Sequence, residues 1–252
     1  MQSIIKVTDL HKKYDNYHAV KGISFEVYHG EIFGLLGPNG AGKTTTLEII
    51  ETLRVKTSGI VTVAGLNIDT ASDDIKQLIG VQLQAAGYYP NLNLAELIDL
   101  FAGLYNSKIN THEILKSVNL HDRSKSKYKE LSGGQKQRFS IATTLINKPQ
   151  IIFLDEPTTG LDPQARRNLW DLIRNLRNQS VTVVLTTHYM DEAESLCDRV
   201  AIMESGNIIA LDTPQALIDN LIASGFERNR EVKQANLEDV FLKIAGHTFE
   251  TE

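Results

Sequence analysis

A single cysteine, Cys197, stands among 252 residues, so no internal disulfide can form. Burial and hydrogen bonding alone must hold the fold, and a reducing compartment suits such a chain. Cys197 itself reads as a small buried or half-buried side chain rather than a nucleophile. No run approaches the ~18–20 consecutive apolar residues of a membrane-spanning helix, so the chain is not expected to cross a bilayer by itself. The opening Met1-Gln2-Ser3-Ile4-Ile5-Lys6-Val7 lacks the charged start, apolar stretch and small-residue cleavage site of a secretory leader, which makes cytosolic residence the expectation. An excess of positive charge is missing too. With 26 basic against 31 acidic residues the net charge is −5, and no nucleic-acid partner is expected. The local basic run Arg123, Lys125, Lys127 and Lys129 reads as solvated surface, with a strip facing an anion or partner as the alternative. Internal repeats and low-complexity tracts are absent from the sequence. What remains, 42% hydrophobic and 23% charged residues, is ordinary for a soluble globular protein. The length suits one large α/β domain or a core with a subdomain.

The sharpest motif is Gly37-Pro38-Asn39-Gly40-Ala41-Gly42-Lys43-Thr44, which fits G-x-x-x-x-G-K-[ST]. An apolar strand candidate, Ile32-Phe33-Gly34-Leu35-Leu36, precedes it, and Thr45-Thr46-Leu47-Glu48-Ile49-Ile50 follows at helical spacing. Such a loop cradles a triphosphate. The glycines let backbone N–H groups turn inward where a Cβ would obstruct. Lys43 supplies a point charge for the β- and γ-phosphates, the Thr44 hydroxyl suits Mg²⁺, and the helix start adds the positive end of its dipole.

Along the chain, Ile4–Val7 and Ile23–Val27 alternate as antiparallel strands, Gly59–Gly65 reads as another strand, and Ser72–Leu78 as a short capped helix. From about residue 86 to 147 helical patterns take over: Asn93-Leu94-Ala95-Glu96 resembles a capping box before Leu97–Leu104, and Thr111–Val118 gives a second helix. Nearly all-apolar strands then resume at Ile151–Leu154 and Val181–Leu185, separated by a helix that Asp162 caps and Pro163 opens. This alternation predicts a parallel sheet covered on both faces. Val200–Met203 and Ile208–Leu211 form a hairpin-like pair around Gly206, a helix follows Thr213-Pro214, and Asn236 can cap a last helix over Leu237–Ile244.

Two further motifs carry chemistry. Asp155 and Glu156 end the strand Ile151–Leu154, at the edge where parallel sheets bind ligands. Asp155 suits the nucleotide's Mg²⁺ and Glu156 suits polarising a water; a merely solvated strand end is the alternative for two adjacent acids. Leu131-Ser132-Gly133-Gly134-Gln135-Lys136-Gln137-Arg138 opens a helix with a hydroxyl and two glycines, which suits a second anion. The S-x-x-Q spacing of Ser132 and Gln135 equally fits an ordinary capping box.

Taken together the cradle, the Leu-Ser-Gly-Gly-Gln signature, the apolar-Asp-Glu strand, Gly160-Leu161-Asp162 and Thr186-Thr187-His188 resemble, in order and spacing, the ATP-binding subunit of an ABC transporter. The resemblance spans nearly the whole chain. It implies an α/β fold: a P-loop NTPase core with a mainly parallel sheet and an antiparallel β-subdomain (1–85 and 148–222), an inserted helical signature subdomain (86–147), and a C-terminal extension (223–252). It implies an ATPase using ATP and Mg²⁺, peripheral on the cytoplasmic face of the membrane, that pairs head to tail with a second copy and works with an integral membrane subunit. Asn39, Gly40, Ala41, Gly42, Lys43, Thr44 and Thr45 then hold the phosphates of one nucleotide. Ser132, Gly133, Gly134 and Gln135 meet the partner's γ-phosphate, Asp162 links the two sites, and His188 pairs with γ-phosphate and Glu156. Tyr14 matches the aromatic that stacks on adenine, with Tyr17 close enough to compete. Gln84 matches the glutamine that senses the metal, Gln82 being the alternative. Asn236–Lys243 resembles the tail of subunits serving exporters, although simple packing onto the core explains that helix as well. Competing functions are a non-transport ABC ATPase of DNA repair or translation and a regulatory ATPase of a membrane complex; one cradle, one signature and an acidic balance disfavour the first.

Overall fold

The computed structural model describes residues 2–82 and 87–226. Strands β1 (Ser3–Tyr14) and β2 (Tyr17–Tyr28) pair antiparallel down to Tyr14↔Tyr17, so the two short strands expected from sequence are the open end of a long hairpin that continues to a turn after Tyr14. The register slips between Val7 and Leu10, where Asp9 takes φ 50, and this bulge bends β1 over the core. Next come β3 (Ile32–Leu36) and helix α1 (Lys43–Ile50), then β4 (Ser58–Val63) and the two-residue β5 (Leu66–Asn67). The first sheet has the order β2-β1-β4-β5.

Helix α2 (Ser72–Leu78) forms where expected, but Ser72 does not cap it. Ala71 holds the cap position without a side-chain bond, and Asp73 and Asp74 complement the dipole instead. It leads directly into β6 (Ile79–Gln82), a strand the sequence reading missed. Gly80 is required there: a Cβ would lie 2.4 Å from the Thr144 carbonyl oxygen. The helical segment follows with α3 (Leu94–Leu104), α4 (Thr111–Ser117) and α5 (Gly133–Thr144). Asn93 and Glu96 form the expected capping box on α3. Tyr88 packs against Phe101, Tyr128 and Phe139 at this segment's centre.

Strand β7 (Ile151–Asp155), helix α6 (Pro163–Asn178), β8 (Thr182–Thr187), α7 (Met190–Leu196), β9 (Arg199–Glu204), β10 (Asn207–Asp212) and α8 (Pro214–Ala223) complete the described elements. The second sheet has the order β10-β9-β3-β8-β7-β6, parallel throughout except for β10. Successive side chains of a strand point to opposite faces, and here both faces are covered. Ile32, Leu36, Ile152, Leu154, Val183 and Leu185 face the helical segment, α6 and α7. Phe33, Leu35, Ile151, Phe153 and Val184 face the antiparallel sheet and α1. That double burial is why these strands read as unbroken apolar runs. Gly34 leaves room for Cys197, whose Sγ would lie 2.7 Å from an added Cβ, and burial pushes the thiol's pKa up. Residues Met1–Leu217 form one compact unit and Ile218 begins a second, of which Ile218–Phe226 are described. Among the described residues no helix is long and apolar enough to cross a membrane. The expected last helix over Leu237–Ile244 lies outside the described residues.

Candidate nucleotide site

The loop Gly37–Gly42 joins the carboxyl end of β3 to α1. Two of its glycines have no substitute. A Cβ on Gly37 (φ 150) would meet the Met203 carbonyl oxygen at 2.1 Å, and one on Gly42 (φ 101) the Ala19 carbonyl oxygen at 2.6 Å. Gly40 faces open space. Gly42 is the N-cap of α1 and offers no side-chain acceptor, and the first bond of the ladder runs from the Thr46 N–H to the Gly42 carbonyl at 2.9 Å. The N–H groups of Lys43, Thr44 and Thr45 precede that ladder and have no acceptor within the helix. They leave a helix start suited to an anion, with no acid in the first turn to oppose it.

Lys43 donates to the Gly37 carbonyl at 2.8 Å and to the Pro38 carbonyl at 3.1 Å. Burial lowers its pKa below that of an ordinary lysine, while Glu156 and then Asp155 pull it back up. A cavity of ≈ 390 Å³ opens over the loop, lined by Asn39, Gly40, Gly42, Lys43, Thr44, Thr45 and Glu156, with Tyr14 and Tyr17 at its side. Ala41 is buried behind the loop. Both tyrosines reach the cavity. Tyr17 is 58% exposed and donates its hydroxyl to the Gly40 carbonyl at 3.2 Å; the half-buried Tyr14 ring carries Lys12 at 4.7 Å and Arg54 at 5.5 Å from its centroid.

Asp155 ends β7 directly beside Thr186 of β8. The Thr186 hydroxyl donates to the Asp155 carboxylate and accepts the Glu156 N–H at 3.0 Å, so one side chain sets both acids. Thr44 Oγ1 lies 3.4 and 3.5 Å from the two Asp155 oxygens. A hydroxyl and a carboxylate converging beside the phosphate cradle are the hard oxygen donors that Mg²⁺ takes, so the residues present fit that ion. Glu156 adopts φ 47, a left-handed backbone that a non-glycine residue holds only when its surroundings enforce it. Its Oε2 accepts from the Thr159 hydroxyl at 3.2 Å. Its Oε1 lies 3.2 Å from His188 Nδ1, near enough for an ion pair but off-line for a hydrogen bond. Gln82 is buried at the end of β6, paired with Leu154, while Gln84 lies outside the described residues.

A second cavity, of ≈ 430 Å³, lies over the start of α5, lined by Ser132, Gly133, Gly134, Gln135, Arg138 and the Gly160–Asp162 turn. The capping box forms: Ser132 Oγ accepts the Gln135 N–H at 3.3 Å, and Gln135 Oε1 accepts the Ser132 N–H at 2.9 Å. A cap uses the hydroxyl oxygen only as an acceptor. Its O–H remains a donor, and the Gly133 and Gly134 N–H groups precede the ladder bond from Lys136 to the Ser132 carbonyl. Capping and anion binding are therefore compatible here. A Cβ on Gly134 would come within 2.9 Å of Ala165 Cβ, which brings α5 against α6. Asp162 caps α6 by accepting the Ala165 N–H at 2.8 Å. The two cavities share no lining residue, so the chain brings Lys43, Thr44, Asp155, Glu156 and His188 together but leaves Ser132 and Asp162 elsewhere. Thr186 and Thr159 escaped the sequence reading, since a threonine signals nothing until the strands are set side by side.

Comparison with known proteins agrees. The ABC transporter family pattern matches residues 20–159. The linearmycin resistance ATP-binding protein LnrL of Bacillus subtilis is 39% identical over 223 residues, covering 86% of this chain and 72% of that protein. The Nod factor export ATP-binding protein I of Burkholderia orbicola is 36% identical over 249 residues, covering 97% of this chain and 82% of that one. Among solved structures, the dimeric post-hydrolysis state of the ATP-binding cassette MJ0796 bound to ADP and Pi is 28% identical, with TM-score 0.74 over 83% of this chain and 98% of that one. Cradle, strand-end acids and signature helix thus sit on a fold shared with dimeric, nucleotide-bound cassettes, and the chain belongs to the ABC transporter family as an ATP-binding, ATP-hydrolysing subunit.

Proposed function

We propose that this chain is the motor of an exporter: two copies close head to tail on two ATP molecules, pull on integral membrane subunits at the cytoplasmic face, and reopen after hydrolysis. The observation that carries the reading is the pair of disjoint cavities in one chain, each over a helix start whose leading N–H groups precede the ladder; in this reading each is half of a nucleotide site. A second copy in head-to-tail order brings Ser132, Gly133, Gly134 and Gln135 of one chain onto the nucleotide held by the other. Asp162 then stands between the two sites. Tyr14 stacks on the adenine, with Tyr17 beside it. The helical segment 86–147 acts as the signature-bearing subdomain within the core 1–85 and 148–222, and 223–252 is an extension. Nucleic acid has no part, in keeping with the net charge of −5. Export is supported by the names of the two curated relatives, which concern linearmycin resistance and Nod factor export.

Lys43 and the cradle N–H groups offset charge on the transferred phosphoryl, and Thr44 and Asp155, with Gln84, would hold Mg²⁺. When bound, Mg²⁺ adds positive charge beside the β- and γ-phosphates. Glu156 orients and polarises the attacking water, held in place by Thr186, Thr159 and its left-handed backbone. His188 bridges Glu156 and the γ-phosphate. Glu156→Gln keeps the shape and removes the base, so it should bind ATP, stop turnover and accumulate a stable dimer in size-exclusion chromatography. Wild-type hydrolysis by that variant overturns the assignment of Glu156. Co-purification with an integral membrane protein, followed by ATP-driven cargo movement in inverted vesicles, separates an exporter from a non-transport or regulatory ATPase.

A further inference from the structure

His188 sits on the short connection between Thr187, the end of β8, and Met190, the start of α7. Its contact with Glu156 is a 3.2 Å approach that is off-line for a hydrogen bond, so this contact alone does not fix the plane of the imidazole. The adjacent Tyr189 ring does what that contact cannot. Its centroid lies 4.1 Å from the imidazole centroid with the planes 38° apart. The Arg166 guanidinium in turn lies over the Tyr189 ring, 4.7 Å from its centroid. Arg166 is held by an ion pair with Asp191 of α7 at 3.0 Å, and its backbone N–H bonds to the Asp162 carbonyl at 2.9 Å. The Tyr189 N–H is bonded to Thr187 Oγ1 at 3.0 Å, which anchors the ring's own backbone to the end of β8. The buried Arg166 Nε has no acceptor, which marks the stack on the ring, along with the pair to Asp191, as what orients this guanidinium.

We propose that Tyr189 and Arg166 are positioning residues for hydrolysis: the Tyr189 ring, held under the Arg166 guanidinium, sets the plane of His188 beside Glu156 and ties that plane to the Asp162-capped start of α6. The proposal rests on the roles given above to Glu156 and His188. Its chemistry is that of a flat cation on an aromatic face, with the ring and not the hydroxyl making the contact. Helix α6 is capped by Asp162, the residue assigned to the partner-facing link, so a shift of that turn moves Arg166, then Tyr189, then the imidazole.

The test is steady-state ATP hydrolysis by the purified full chain, with thermal unfolding of each variant alongside. Tyr189→Ala should lower kcat by about tenfold or more, while KM for ATP stays within about twofold, since a group acting only on the transition state affects kcat. Tyr189→Phe should restore kcat to within about twofold, because it keeps the ring. Arg166→Gln should lower kcat less, by about three- to fivefold, and the double variant should be no slower than Tyr189→Ala alone, since both act through one ring. Wild-type kcat in Tyr189→Ala overturns the proposal, as does a Tyr189→Phe enzyme as slow as the alanine variant, or a change confined to KM or melting temperature. Glu156→Gln and His188→Ala run in parallel tell the two failures apart. If they hydrolyse normally, the reading of the site itself is wrong; if they are inactive while Tyr189→Ala is normal, only the stack is.

Discussion

Glu51 occupies the C-terminal cap position of α1 and is only 2% exposed, and replacing it with glutamine should make the nucleotide-free protein more stable, increasingly so as pH rises. Burial is the main reason its pKa is raised from 4.5 to about 8, with the negative charges of Asp155 and Glu48 adding to it. The folded protein thus keeps the Glu51 proton up to about pH 8, whereas the unfolded chain releases it near 4.5. Between those limits the folded state binds the extra proton, so stability falls as pH rises through the window and the full penalty is present above it. At about 1.4 kcal/mol per tenfold change in proton activity, the span from 4.5 to about 8 sets an upper bound of about 5 kcal/mol. Glu51→Gln removes the charge and keeps the shape. At pH 8.5 the variant should gain a few kcal/mol, each moving the melting temperature by about 2–4 °C in a chain of this size, and near pH 5 it should match the wild type. Urea denaturation and calorimetry from pH 5 to 9, without nucleotide or Mg²⁺, measure this directly. Stability curves of wild type and variant that run parallel across that range, or a variant less stable at pH 8.5, refute the reasoning.

Gly80→Ala drives a methyl group to within 2.4 Å of the Thr144 carbonyl oxygen and should cost about 1–3 kcal/mol as β6 and α5 part, read as a lowered urea midpoint. Thr186→Val keeps the shape of β8 but removes the bond to Asp155 and the acceptor for the Glu156 N–H, so hydrolysis should fall by about ten- to a hundredfold while the fold survives; a normal rate by steady-state assay contradicts the positioning role. Asp162→Ala removes the α6 cap and should lower stability by about 1 kcal/mol, detectable by chemical denaturation. Lys43→Ala should abolish ATP-dependent dimerisation by light scattering, and a variant that still dimerises on ATP separates the cradle from closure.

How much of this was legible beforehand depended on whether a signal was local. Gly37–Thr44 and the acids after Ile151–Leu154 were readable because the apolar strand, the turn glycines and the charged groups lie within a dozen residues of one another. The capping boxes at Asn93 and Ser132 were readable for the same reason. Strand β6 was not: four residues with a glycine carry no usable periodicity, and what makes Ile79–Gln82 a strand is its pairing with β7. The length of β1 and β2 was likewise hidden, because a bulge at Asp9 and the polar run near their tips break the alternation that pairing later restores. Thr186 is the clearest case. Nothing in Thr186-Thr187-His188 says that the first threonine orders two acids 31 and 30 residues earlier; only the register Asp155↔Thr186 does.

The two helix starts that bind anions in this reading are built in opposite ways, and the difference follows from what each must leave open. At α1 the cap is a glycine with no side-chain acceptor, so the three leading N–H groups remain for a ligand inside the cavity, together with the third Lys43 N–H, the other two being bonded to the Gly37 and Pro38 carbonyls. A serine or aspartate at position 42 would satisfy one of those groups internally, and its Cβ would meet the Ala19 carbonyl oxygen at 2.6 Å. At α5 the cap is Ser132, which satisfies the Gln135 N–H and so stabilises the helix, yet keeps its own O–H and the Gly133 and Gly134 N–H groups as donors. An uncapped start is tolerable at α1 because the loop around it is pinned by the carbonyl bonds of Lys43 and the packing of Gly37 and Gly42. The start of α5, with Ser132 and Gly133 exposed and only Gly134 packed closely, against Ala165, has fewer such contacts, and the capping box holds its shape.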